Sequence, residues 1–191
     1  MDFAVWTYQP VGNVCMLDGI ENVPQWLDLM RGVPFKGAFP TAAQYQMSND
    51  HKKRTGLNDD LPNTDCLKVC SARLVELLEK KHLENVEYLP VRILNHKGKL
   101  ASKDYFIVHP IIPQDALDSD ASEPSFNDIN PEEIDSVERL VLDKKRLDPK
   151  LRLFRLKALF QPVLIDQKLI DEIKAAGFVG SYAQSLERYC F

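Results

Sequence analysis

The sequence predicts an α+β fold: a mixed, mainly antiparallel sheet with a few packed helices. Three observations carry this expectation. Twice, an apolar strand-length run ends on a residue suited to cap a helix, Ser71 and Asp166, and an amphipathic helix pattern follows. Between these two strand–cap–helix units, two alternating segments flank the turn-forming run Asn95-His96-Lys97-Gly98-Lys99, as in a β-hairpin. The composition, 45% hydrophobic and 27% charged over 191 residues, suits a chain that buries a core without disulfide or metal staples.

In chain order, Ala4 to Tyr8 suits a short strand. Val23 to Met30 suits a helix begun by Pro24, with Trp26, Leu27 and Met30 on one face. From Arg31 to Thr64 the chain is rich in Gly, Pro, Asn and Asp and reads as irregular structure. Residues 1–64 are therefore expected to form an N-terminal covering segment and 65–191 the α+β domain, unless 1–191 is one continuous domain.

Leu67 to Cys70 alternates as a strand, Ser71 follows at the cap, and Leu74, Leu77 and Leu78 line one face of a helix over 72–82. In the hairpin, Leu89, Val91 and Ile93 alternate with Pro90 and Arg92, and Tyr105, Ile107 and His109 with Phe106 and Val108. Pro90 has no N–H to give a ladder, which places it at an edge or a bulge. Val137 to Leu142 and Leu153 to Leu156 suit two further strands. Val163 to Ile165 then leads through Asp166 into a helix over 167–176, with Leu169, Ile170 and Ile173 on its apolar face and Gly177 just past its end.

A net charge of −4 and a pI near 5.6 disfavour nucleic acid as a partner, because phosphate binding needs a basic stripe. No stretch has the length and apolarity to span a bilayer, and Met1-Asp2-Phe3-Ala4-Val5-Trp6 lacks the basic region and apolar run of a secretory signal. The expected compartment is the cytoplasm, and Cys15, Cys66, Cys70 and Cys190 are expected to be reduced.

The charges are unevenly laid out. From Pro113 to Glu138 there is no Lys or Arg, while Asp115, Asp118, Asp120, Glu123, Asp128, Glu132, Glu133, Asp135 and Glu138 all fall there. Arg139, Lys144, Lys145, Arg146, Lys150, Arg152, Arg155 and Lys157 follow at once. Such asymmetry creates a field able to steer a charged partner. The plainer reading is a solvated acidic loop, partly neutralised by the basic stretch folding beside it.

No motif announces catalysis, a cofactor or a metal. Gly177-x-x-Gly180 follows a helix instead of preceding one, so it is no phosphate loop. Cys66-x-x-x-Cys70 lacks the second ligand pair of a zinc site, and would share a strand face with Lys68. Asp118-x-Asp120-x-Ser122 begins like a calcium loop but has Glu123-Pro124 where glycine is required. His96, expected in a turn, and His109, on a strand, could each serve a hydrolase only if a carboxylate lay beside them.

The strings Leu67-Lys68-Val69-Cys70-Ser71-Ala72-Arg73-Leu74, Tyr88-Leu89-Pro90-Val91, Asn95-His96-Lys97-Gly98 and Asp104-Tyr105-Phe106-Ile107-Val108 resemble a bacterial family. So do Leu153-Phe154-Arg155-Leu156, Ile165 to Ile173 and the Gly177-x-x-Gly180 step. That family comprises immunity proteins of polymorphic toxin systems, with a myxobacterial-type domain once described only as of unknown function. The likeness runs from about Leu67 to the C-terminus. It departs from the family pattern at Lys157-Ala158, where a glycine is expected. The resemblance implies a non-enzymatic cytoplasmic antidote that binds a cognate toxin and blocks its active site or substrate access. Against a basic toxin, the docking surface would be Asp115, Asp118, Asp120, Glu123, Asp128, Glu132, Glu133 and Asp135. A small hydrolase with a His–carboxylate site and a regulatory protein-binding module are the alternatives. The oligomeric state has no signature in the sequence.

Overall fold

Side chains alternate across a strand, so apolar residues at successive positions require cover on both faces. This rule organises the computed structural model, which describes residues 2–190. In chain order the strands are β1 (Phe3–Tyr8), β2 (Gln44–Gln46), β3 (Asp60–Leu61), β4 (Lys68–Ser71), β5 (Val86–Leu94) and β6 (Leu100–Pro110). They continue with β7 (Pro124–Phe126), β8 (Ile134–Val137), β9 (Leu153–Arg155), β10 (Val163–Asp166) and β11 (Ser181–Ser185). The α-helices are α1 (Trp26–Met30), α2 (Ala72–Glu79), α3 (Ser119–Ser122) and α4 (Gln167–Ala175).

The strands form two main sheets, ordered β11-β1-β10-β9 and β2-β5-β6-β4-β3, and a separate β7–β8 hairpin. All pairings are antiparallel except β2 with β5, which confirms the α+β class with a mixed sheet. In the four-stranded sheet, Trp6, Leu153, Val163 and Ile165 face one way, and Val5, Phe154 and Leu164 the other. In the five-stranded sheet, Val69, Leu89, Val91, Ile93, Tyr105 and Ile107 face one way, and Cys70 and Val108 the other. The set with Trp6 and the set with Cys70 share a middle core, completed by Leu74, Val75 and Leu78 of α2 and Leu169, Ile170 and Ile173 of α4. The outer face of the five-stranded sheet is covered by Val14, Leu17, Val23, Leu29 and their neighbours. The outer face of the four-stranded sheet is covered by Leu140 and by Ala116, Leu117, Ile134 and Val137 of the acidic segment.

Both strand–cap–helix units form as expected and feed this middle core. Ser71 Oγ accepts from Leu74 N at 3.4 Å, and Asp166 Oδ1 from Lys168 N at 3.3 Å. Gly177 takes the left-handed conformation that ends α4 (φ +76°). Lys81 pairs with Glu172, and Arg152 reaches both Asp166 (2.9 Å) and Glu172 (3.4 Å), tying the ends of the two units together.

A buried polar clamp joins the sheets beside these units. Asp59 accepts from Ser71 Oγ (2.6 Å), Arg73 Nε (2.6 Å) and Val179 N (2.9 Å). Burial pushes Asp59 up, but those donors outweigh it and hold the carboxyl below its ordinary range. Its neighbour Asp60 lies 2.7 Å from Lys68 Nζ and accepts from Ser181 Oγ at 3.3 Å. Complete burial raises Asp60 against the attraction of Lys68. Gly180 passes so close that a Cβ there would lie 2.5 Å from the Asp60 carbonyl oxygen, at a φ of +104°.

Four local expectations are corrected. The helix begins at Trp26, not near Pro24, and this rotated start buries Leu29 while Leu27 is exposed. The stretch 31–64 is not wholly irregular, since it supplies β2 and β3 at opposite edges of the five-stranded sheet. Pairing with β5 recruits β2, whose Tyr45 is fully buried although its flanks are polar. The strand expected over Val137 to Leu142 ends at Val137. Beyond it, Val141 gives its N–H to Ser122 Oγ (3.1 Å), and the chain keeps only an isolated antiparallel bridge of Leu142 with Leu117, in which Asp118 N donates to the Val141 carbonyl (3.0 Å). Cys66 lies outside β4 with a positive φ and is exposed, whereas Cys70 and Lys68 are buried, so the two thiols do not share a strand face with Lys68. Pro90 sits on the part of β5 that β2 does not reach, two residues before the Gln44–Arg92 pairing.

Candidate functional site

The acidic segment is built structure rather than a slack loop. Its Ala116, Leu117, Ile134 and Val137 point into a third core, on the outer face of the four-stranded sheet, and its backbone is tied down at several points. Gln114 N donates to the Arg155 carbonyl (2.8 Å), and Ile134 N to the Ala158 carbonyl (3.0 Å). Asp118 caps α3 by accepting from Ala121 N at 3.0 Å. With the apolar positions turned inward, the acids between them face solvent.

The eight acids expected to bind a partner differ in exposure and in what they touch, Asp118 and Glu133 being half-buried and the others exposed. Asp115 pairs with Arg146, Glu123 with Arg139 at 3.5 Å, and Glu133 with Arg31 at 2.8 Å. Asp135 accepts from Asn127 Nδ2 at 2.8 Å. Among the described residues, Asp120, Asp128 and Glu132, together with Glu138, have no ion-pair partner, and all four are exposed. Neutralisation by the following basic stretch is therefore partial. Arg152 is spent on Asp166 and Glu172. Arg155 turns inward, fully buried, and donates to the carbonyls of Phe160 (2.6 Å), Gln161 (3.1 Å) and Cys66 (3.4 Å). Burial lowers its pKa to about 10.

Two residues of this surface escaped the sequence reading. Phe126, on β7, is half exposed, and Ile129, in the β7–β8 connection, is 94% exposed. The only signal was an aliphatic residue set in the turn-forming run Asn127-Asp128-Ile129-Asn130-Pro131.

The histidines do not assemble a reactive constellation. His109 is fully buried, its Nε2 is 2.9 Å from the Val33 carbonyl oxygen, and Glu87 lies 3.8 Å away. Burial and the charge of Arg155 lower its pKa, outweighing the Val33 carbonyl and Glu87. His96 sits in the hairpin turn region with Nε2 3.0 Å from the Arg54 carbonyl oxygen. His51 lines an open groove of about 450 Å³ with Lys52, Lys53 and Arg54. Among the described residues, no cluster of three or more His, Cys, Asp or Glu side chains could hold a metal. No helix of those residues is long and apolar enough to cross a membrane.

The model of the immunity protein family Imm11 matches residues 7–185. No curated protein matches the chain. The matched span takes in both strand–cap–helix units, the hairpin, the Asp59–Asp60 clamp and the acidic surface. The chain belongs to the Imm11 immunity protein family.

Proposed function

We propose that this immunity protein neutralises its cognate toxin by binding it stoichiometrically in the cytoplasm, without catalysis, and that the acidic surface is the docking face. The observation that carries the reading is the family match over residues 7–185. A blocker needs a complementary surface, and Asp115, Asp118, Asp120, Glu123, Asp128, Glu132, Glu133 and Asp135 supply a predominantly acidic one, three of them already paired with arginines. Burial of His109 and its engagement with the Val33 carbonyl favour binding over a hydrolase built on that side chain. A toxin domain with a basic substrate groove, such as a nuclease, fits this surface.

Asp118 caps a helix and Glu133 holds Arg31, so neutralising them would mix folding with binding. The informative variant changes Asp120, Asp128 and Glu138 to Asn, Asn and Gln, and Glu132 to Gln, since none of these holds an ion pair among the described residues. Association with the toxin domain should slow by about tenfold at low salt, and its dependence on ionic strength should flatten. Association kinetics equal to wild type across the salt range would remove the acidic face from the account.

A further inference from the structure

We propose that the β7–β8 hairpin is the part of this surface that enters the toxin, with Ile129 and Phe126 seated in an apolar recess within a basic groove. The inference rests on the toxin-binding reading above and names where the binding energy lies. Single exposed apolar side chains are ordinary on protein surfaces. These two differ in being placed on one short, ordered hairpin whose second strand packs on the third core.

Three features argue for the placement. Ile129 is 94% exposed and Phe126 51% exposed, so neither side chain serves the fold much. The hairpin is fixed before any partner arrives. Asn127 Oδ1 accepts from Ile129 N (2.9 Å) and Asn130 N (2.7 Å), and its Nδ2 donates to Asp135 (2.8 Å). Across the turn, Asn127 N donates to the Glu133 carbonyl, and Glu133 N to the Asn130 carbonyl, both at 2.9 Å. Inward-facing Ile134 and Val137 root the second strand in the core, and Arg31 holds Glu133 from outside. A pre-ordered loop loses little conformational freedom on binding, so more of its contact energy appears as affinity.

The third feature is charge. Asp128, Glu132, Glu133 and Asp135 flank the two apolar residues along the hairpin, and no Lys or Arg falls between Pro113 and Glu138 in the chain, with Arg31 joining from outside at Glu133. An apolar centre inside a charged rim is the arrangement of interfaces whose few anchors carry most of the energy. A rim of one sign selects a partner surface of the other. The occupant is therefore a protein with a basic groove and an apolar recess in its floor, and the acids steer while the apolar pair holds.

Steering and holding separate in kinetics, because rim charges act on association and buried anchors on dissociation. The probe is the cognate toxin domain, catalytically inactivated, immobilised and exposed to the full chain. For F126S/I129S we expect dissociation at least about tenfold faster, with association and its salt dependence within about twofold of wild type. The acid-neutralised variant should show the reverse. Ile129→Ser alone, at a side chain 94% exposed, should keep the wild-type urea midpoint, and the double variant, which gives up the buried half of Phe126, should keep the wild-type circular dichroism. Hydrogen exchange on the wild-type complex should be slowed across residues 127–133. An unchanged dissociation rate in F126S/I129S, with wild type binding normally, overturns the hairpin assignment and leaves toxin binding standing. Absence of wild-type binding to that domain overturns both.

Discussion

Asp60 and Lys68 form a buried ion pair, 2.7 Å apart, with side-chain exposures of 1% and 8%. Removing one member of such a pair strands the other, which costs about 3–5 kcal/mol, whereas apolar replacement of both is often near neutral. Asp60→Ala should therefore lower stability by about that amount in urea unfolding, and Asp60→Leu with Lys68→Met should recover most of it. An additive double variant would show that the pair does not act as a unit. His109 provides the pH dependence at this scale. Burial depresses its pKa below the unfolded value of about 6.5, so the unfolded chain takes up its proton first as pH falls. The stability from neutral His109 is fully present above about pH 6.5 and is lost as pH drops below it. His109→Gln should flatten the fall of the urea midpoint as the pH drops below about 6.5. An unaltered slope would place that dependence on other groups.

The elements show which parts of the fold the sequence could reveal. The Ser71 and Asp166 caps, the helices they start and the hairpin between them rest on local chemistry, and each formed where its residues indicated. The short strands β2 and β3 rest on long-range pairing. Gln44–Gln46 gains its strand character from β5, nearly fifty residues on, and nothing in Gln-Tyr-Gln signals this. The same division runs through the proposed binding face. Its run of acids was plain, but which acids are paired was not, because Arg31 reaches Glu133 across 102 residues. Ile129 was hidden among turn residues. Two element-scale predictions follow from local geometry. Ser71→Ala should cost about 1 kcal/mol or more, since its hydroxyl both caps α2 and donates to Asp59. Gly180→Ala should destabilise by about 1–3 kcal/mol, because its backbone is left-handed and a Cβ would meet the Asp60 carbonyl. Urea midpoints within error of wild type would contradict either account.

Across the whole molecule, the three cores draw on every part of the chain. β1 lies between β11 and β10, and Val14 to Met47 cover one face of the sheet made by β4, β5 and β6. This sharing predicts that 1–191 unfolds as one cooperative unit and that a chain lacking 1–64 does not fold. Trp6 reports on the middle core and Trp26 on the first, so their fluorescence and the far-UV circular dichroism should change together in urea. Separate transitions would indicate two independent units. A scaffold of this kind holds the acidic hairpin in one orientation, which is what a blocking surface requires.

Rescue of growth tests toxin neutralisation most directly, when this chain is co-expressed with its cognate toxin domain. The account predicts restored growth and a stoichiometric complex recovered from the same cells. Continued killing at matched levels of folded chain, with no complex formed, would contradict it.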